Sequence, residues 1–361
     1  MSASSATAPS STTADVDVID LDAWRAGGAG APAAAAAAAA SLRSLGLLLV
    51  RDSRASAADN DSFLDMMEAY FSQPAAAVAA DERPALSFQV GSTPSHQELP
   101  RDHCARMRAL ATADAPLSLC PPEKDAKQRF FWRLGARPAA TAYAELNAPP
   151  VTPAAFPQWA ETMDKWGGKL LAALADVAEL AAVGFGLPRD AFAAAMREAP
   201  HLLAPTASDL ARFGAPGTVL AGYHYDLNFL TIHGRSRFPG LYVWSREGRR
   251  LAVAVPPGCL LVQAGKQMEI LTGGAVQAGF HEVVVAPATT AAIEAARAAG
   301  RPLWRISSTC FGHIASDVLL RPLGVFAELP GAAEAYPPVL AGDQVAAELR
   351  ALNLAAPAAT A

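Results

Sequence analysis

From residue 217 onward, short runs rich in Val, Ile, Leu, Tyr and Phe alternate with Gly and Pro, at 219–225, 229–233, 240–244, 251–255, 259–262, 283–285 and 304–311. Regular short strands punctuated in this way predict a sandwich or a jelly-roll barrel. The interruption is an alanine-rich stretch, 289–299, expected as a helical insert before the last strand.

The first half has a different grain. Residues 16–21 nearly alternate apolar and acidic positions, as in a half-buried strand, and an alanine run at 33–40 is a strong helix former. Leu and Val at 45–50 form a run too short for a helix and apolar enough for a buried strand. Phe63, Met66, Met67, Tyr70 and Phe71 then recur at helical spacing, with a stop before Pro74. Residues 84–157 are rich in Pro, Ser and Gly and predict long irregular connections. The aromatic cluster at 128–133, flanked by basic residues, is expected as a packed loop rather than a nucleobase platform.

Trp159, Met163, Trp166, Leu170, Leu174, Val177 and Leu180 follow at steps of three and four. That stripe predicts a long amphipathic helix over 156–183, packed on the β-rich core. Gly184 and Gly186 end it; without a preceding strand and a third glycine they are a helix stop, not a dinucleotide loop. Shorter helices are expected at 190–197 and 341–352. The chain thus divides into a disordered start (1–14), a helical and irregular region (15–155), a long helix with the β core (156–330), and a C-terminal helix and tail (331–361).

Charge and composition exclude several classes. Lys plus Arg number 29 against 34 Asp plus Glu, a net charge of -5, so a nucleic-acid partner is not expected. Cys104, Cys120, Cys259 and Cys310 stand singly, which argues against a zinc ribbon or disulfide scaffold and predicts free thiols. The start of the chain lacks the basic and apolar regions of a secretory signal, and 26–42 is Ala and Gly around Pro32, too weakly apolar for a bilayer. A cytoplasmic protein without a membrane span is expected.

The chemistry concentrates at His224-Tyr225-Asp226-Leu227-Asn228, where a period of two sends His224 and Asp226 to one face and Tyr225 away. His281, at the start of a later strand, supplies a second imidazole for a two-histidine, one-carboxylate face. Such a face leaves open positions on Fe(II), whereas structural zinc takes four protein ligands. On the last strand Arg305 and Ser307 share a face, and an inward guanidinium beside a hydroxyl suits a carboxylate. The same parity carries Thr309, Phe311 and His313 inward, and Asn228 shares the ligand face; Asn228, Phe311 and His313 are candidate substrate contacts. His96, His103, His201 and His233 are expected to be structural or exposed, and Lys266 and Glu269 to form a solvated pair.

These residues, in order and approximate spacing over most of 15–355, resemble the iron(II)- and 2-oxoglutarate-dependent dioxygenases, in the branch similar to isopenicillin N synthase. The resemblance runs through Val18-Ile19-Asp20-Leu21, Phe71-Ser72-Gln73-Pro74, the segment from His224 to Thr231, Pro239-Gly240-Leu241, Leu271-Thr272-Gly273-Gly274, His281 and Arg305-Ile306-Ser307. It implies an α+β fold with a double-stranded β-helix (jelly-roll, cupin-like) core, flanking N-terminal helices and a long supporting helix. It also implies Fe(II) on His224, Asp226 and His281, and 2-oxoglutarate anchored by Arg305 and Ser307. O2 would then oxidise a small organic substrate with release of succinate and CO2, by hydroxylation, desaturation or ring closure. The stretch matching the family's Asn-x-Tyr element reads Leu202-Leu203-Ala204-Pro205-Thr206, without the tyrosine. The alternatives are an oxidase of the isopenicillin N synthase kind that does not use 2-oxoglutarate, an inactive binding protein on the same fold, and a zinc hydrolase.

Overall fold

The computed structural model describes residues 12–14 and 16–354. In chain order the strands are β1 (Thr12–Thr13), β2 (Val18–Asp20), β3 (Leu47–Arg51), β4 (Gly91–Thr93), β5 (Lys127–Leu134), β6 (His201–Asp209) and β7 (Val219–His224). They continue as β8 (Leu230–His233), β9 (Leu241–Trp244), β10 (Arg250–Ala252), β11 (Cys259–Ala264), β12 (His281–Val284) and β13 (Trp304–Gly312). Five form one sheet in the order β1-β10-β9-β12-β7, eight form a second in the order β2-β3-β11-β8-β13-β6-β5-β4, and the short strands Leu319–Leu320 and Val339–Leu340 pair apart from both. The fold is α+β, with most neighbouring strands antiparallel. The expected disordered start and the last seven residues of the tail lie outside the described residues, except that Thr12–Thr13 pairs parallel with Leu251–Ala252.

The larger sheet uses its two faces differently. On β13, Ile306 and Cys310 point to a helical layer, while Arg305, Ser307, Thr309 and Phe311 point between the sheets. The outward side chains of β5, Phe130, Trp132 and Leu134, join them in one apolar cluster against the long helix, Trp159–Gly184. Burying each of that helix's Trp166, Leu170, Leu174 and Val177 contributes about 1.5–3 kcal/mol. Because the helices carry this hydrophobic burden, the space between the sheets is free to be polar.

The alanine run is part of a helix, Ala31–Leu45, whose Ala35, Ala38, Ala39 and Leu42 are buried. Its small side chains let it lie close against the long helix. At that contact a Cβ on Gly184 would collide with the Ala35 carbonyl and reach 2.9 Å from the Ala39 Cβ. The insert forms the helix Pro287–Ala298, whose Ile293 packs in a small apolar cluster with Leu210, Leu220, Phe238 and Val285. The chain therefore loops out and returns for β13 to take its place at the centre of the larger sheet.

Three expectations are corrected. The 128–133 cluster is not a loop but the body of β5, which pairs with β4 and β6. Its alternation was concealed because two of its cavity-facing residues, Lys127 and Arg129, are charged. Cys104 and Cys120 are not free thiols; they form a disulfide with Cα atoms 5.6 Å apart, whereas Cys259 and Cys310 are free and buried. Lys266 and Glu269 are not a solvated pair in a turn. They sit on a helix, Lys266–Leu271, at 2.6 Å, and Glu269 also accepts from the Tyr336 hydroxyl and the Ala278 N–H. No helix among the described residues is long and apolar enough to cross a membrane.

Candidate functional site

β7 and β12 pair antiparallel with His224 directly opposite His281, and their rings lie 4.2 Å apart. Asp226 follows His224 by two residues, in the turn into β8. The ligand atoms of His224, Asp226 and His281 all lie within 4.8 Å of one another. Each imidazole is oriented by its own strand: His224 Nδ1 stands 2.5 Å from the Gly222 carbonyl, and His281 Nδ1 stands 2.9 Å from the Gly279 carbonyl. A carbonyl only accepts, so each Nδ1 carries the proton and each Nε2 presents a lone pair. Burial, then His281 and Lys127, hold the His224 imidazole well below its ordinary pKa and keep it neutral. Asp226 keeps one oxygen free of the fold, because its Oδ2 accepts the Thr231 hydroxyl at 2.6 Å. Two imidazoles, each with its Nδ1 bonded to a carbonyl and its Nε2 turned to the site, and a steered carboxylate form a donor set suited to a divalent first-row metal with open positions. Tyr225 does not turn away as expected: β7 ends at His224, the period of two lapses, and Tyr225 joins the cavity wall.

From this cluster one cavity runs between the sheets to Arg305 and Ser307. Arg305 is buried, and among the described residues no carboxylate pairs with it; its Nε only approaches the Pro239 carbonyl, at 3.4 Å. Burial alone pulls its pKa down to about 10. The strand register builds the walls around it. Arg305 lies opposite Ser208, which lies opposite Lys127; Ser307 lies opposite Thr206, which lies opposite Arg129. Two rows of cation and hydroxyl thus cross β13, β6 and β5. Lys127 is already held by Glu98 at 2.9 Å and Asp125 at 2.7 Å, and Arg129 pairs with Glu98, which leaves Arg305 as the free cation of the rows. The segment that lacks the family's tyrosine is β6, and it presents Thr206 and Ser208 to the cavity instead.

A second cavity, partly open, meets the first at His224, Asp226, Arg129 and Phe311. Phe311 stands between the two. His313 lines the second cavity and is buried. Asn228 also reaches its wall, but its amide N–H groups donate to the carbonyls of Leu230 at 2.8 Å and Gly312 at 3.1 Å, so it ties β8 to β13. Lys127, Arg129, Thr206, Ser208, His233 and His103 also line the cavities and had not been singled out. For β5 the signal was present in the alternation of Lys127, Arg129 and Phe131 with Gln128, Phe130 and Trp132. His103 and His233 are part-buried at the cavity walls, where burial holds each near a pKa of about 4.

Residues 208–314, which hold every one of these metal-cluster and Arg305 positions, match the family model of the 2OG-Fe(II) oxygenase superfamily. The chain carries a 2OG-Fe(II) oxygenase domain. Kihadalactone A synthase LFS of Citrus sinensis is 28% identical over 142 residues, 36% of this chain; the match spans 41% of that relative's length. Among solved structures, a protein of Caulobacter crescentus assigned to the 2OG-Fe(II) oxygenase family superposes with a TM-score of 0.70 at 21% identity, covering 94% of this chain and 99% of that one. JOX2, solved in complex with 2OG, Fe and JA, superposes with a TM-score of 0.66 at 18% identity, covering 95% of this chain and 87% of its own. These superpositions show that the fold, with the N-terminal and C-terminal elements packed around the jelly-roll, is similar over nearly the whole chain.

Proposed function

We propose that the protein is a non-haem Fe(II)- and 2-oxoglutarate-dependent oxygenase that oxidises a C–H bond of a small organic molecule. The observation that carries this reading is one cavity with His224, Asp226 and His281 at one end and the unpaired, buried Arg305 at the other. A ferrous ion held by the three side chains supplies the redox chemistry by which O2 decarboxylates 2-oxoglutarate to succinate and CO2 while the substrate is oxidised. The chain's own part is placement. Arg305, with Ser307 and the hydroxyls of Thr206 and Ser208 beside it, holds the distal carboxylate by charge-assisted hydrogen bonds in a site that excludes bulk water. Thr231 steers Asp226, and the Gly222 and Gly279 carbonyls fix the ring orientations of His224 and His281. The Arg305 guanidinium fits this role because a buried cation without a partner costs free energy until an anion arrives.

The test is anaerobic difference spectroscopy with Fe(II) and 2-oxoglutarate, followed by succinate measurement on admission of O2. A weak visible charge-transfer band and succinate release are expected. Iron bound without a band would leave the oxidase reading, and no iron bound would overturn the metal assignment.

A further inference from the structure

The second cavity differs from the first in charge, and that difference bears on what it receives. Both of its guanidinium groups are already neutralised. Arg101 donates to Glu348 at 2.7 Å and to the Tyr225 hydroxyl at 3.2 Å, and Arg129 pairs with Glu98. Glu348 and Glu98 are buried. A carboxylate ligand would have to take a guanidinium from one of them and leave that glutamate buried without a cation, an unfavourable exchange. An ammonium ligand would compete in the same way for the glutamates. Away from these pairs and the metal-site end, the walls are largely apolar, with Phe131, Leu202 and Phe311 from the larger sheet and Leu349, Leu352 and Leu354 from the C-terminal helix, Ala341–Ala351, and the residues after it, while Gln89, His103 and Tyr225 add polar edges.

Against these walls, outside the Arg129–Glu98 and Arg101–Glu348 ion pairs, stands a buried polar group without a partner. His313 is 4% exposed, and its Nδ1 has no hydrogen-bond partner. Its backbone N–H is spent on His201 Nδ1 at 3.0 Å, which fixes the residue in place just past the end of β13. Burial, with His201 and Arg133 nearby, pushes its pKa down to about 3, so the ring is neutral and offers one N–H and one lone pair. A buried polar atom without a partner is rare and costly, which makes it a place for a ligand's hydrogen bond.

We propose that this cavity takes a neutral, largely apolar small molecule whose hydrogen-bonding group, an amide, alcohol or carbonyl, meets His313, while its apolar body lies between Phe311 and the C-terminal leucines. The proposal rests on the oxygenase reading above and names the substrate class of that same site. The closing apolar wall belongs to a helix tethered by the Arg101–Glu348 pair, so the groups that neutralise the cavity also cover it.

The test uses the full chain with Fe(II) and 2-oxoglutarate, kept anaerobic, and calorimetric titration with matched probes, 3-phenylpropanamide and 3-phenylpropanoate. The amide is expected to bind at least about tenfold more tightly than the carboxylate. His313→Leu is expected to weaken the amide about tenfold and His313→Gln to restore most of it, with 2-oxoglutarate affinity unchanged in both. Glu348→Gln frees Arg101 and is expected to move the preference toward the carboxylate by about tenfold or more. Equal or tighter binding of the carboxylate by wild type, no amide binding, or an amide affinity indifferent to His313 would overturn the substrate class while 2-oxoglutarate still binds. Failure of wild type to bind 2-oxoglutarate would instead overturn the oxygenase reading and this inference with it.

Discussion

Replacing Arg305 with leucine separates an anion anchor from a structural cation. Burial lowers the guanidinium pKa from 12.5 to about 10, and that difference corresponds to about 3 kcal/mol of disfavour for the charged form in the empty site. A carboxylate that pairs with Arg305 recovers an amount of this order, so Arg305→Leu is expected to weaken 2-oxoglutarate binding by about 3 kcal/mol, roughly 150-fold. The unliganded protein should behave in the opposite sense. Arg305 has no carboxylate partner to lose among the described residues, so its removal should leave urea stability equal to or above wild type. Arg305→Lys keeps the charge but loses the planar fork, and an intermediate loss of about tenfold is expected. The assay pairs anaerobic titration of 2-oxoglutarate with urea unfolding of the ligand-free chain. A Kd change below about threefold, or a loss of several kcal/mol in the ligand-free protein, would refute the reasoning.

Three further outcomes are expected. Thr231→Val removes the hydroxyl that steers Asp226 Oδ2 and should weaken iron binding about tenfold, read by competition with a chelator, without changing the circular dichroism. Buried His201, His233 and His313 have folded-state pKa values of about 4, 4 and 3, below the ordinary 6.5, so the unfolded chain takes up protons first as pH falls. Stability is therefore complete above pH 6.5 and should fall between pH 6.5 and 4 by about 1.4 kcal/mol per pH unit for each of them, measured by urea unfolding of the metal-free protein; a flat profile would contradict this. Gly184→Ala forces a Cβ into the Ala35 carbonyl where two helices touch, and a loss of about 1–3 kcal/mol in urea is expected although the change favours helix.

The sequence determined what depends on neighbours along the chain. Periodicity alone placed the long helix within a few residues, the helical insert and the strands after residue 217, because a buried face repeats every 3.6 or every two positions whatever it packs against. Parity on β13 gave the shared face of Arg305, Ser307 and Phe311, and the spacing of His224 and Asp226 with a distant histidine named three side chains whose ligand atoms lie within 4.8 Å of one another. Parity failed at Tyr225, where the strand had already ended. Other features depend on partners far away in sequence, and only the tertiary structure decided them. β5 and β6 are hard to read as strands, although β5 does alternate, because their inward faces mix apolar residues with the charged or hydroxylic Lys127, Arg129, Thr206 and Ser208 and their outward faces are covered by a helix, so neither face has the polar exterior that alternation assumes. The Cys104–Cys120 bond needs two loop cysteines brought within 5.6 Å, a distance no spacing rule supplies. Whether a buried cation is free or spent is likewise settled by which carboxylates arrive beside it. Glu98 claims Arg129, Glu348 claims Arg101, and Arg305 is left open, so the charge of each cavity is a property of the assembled fold.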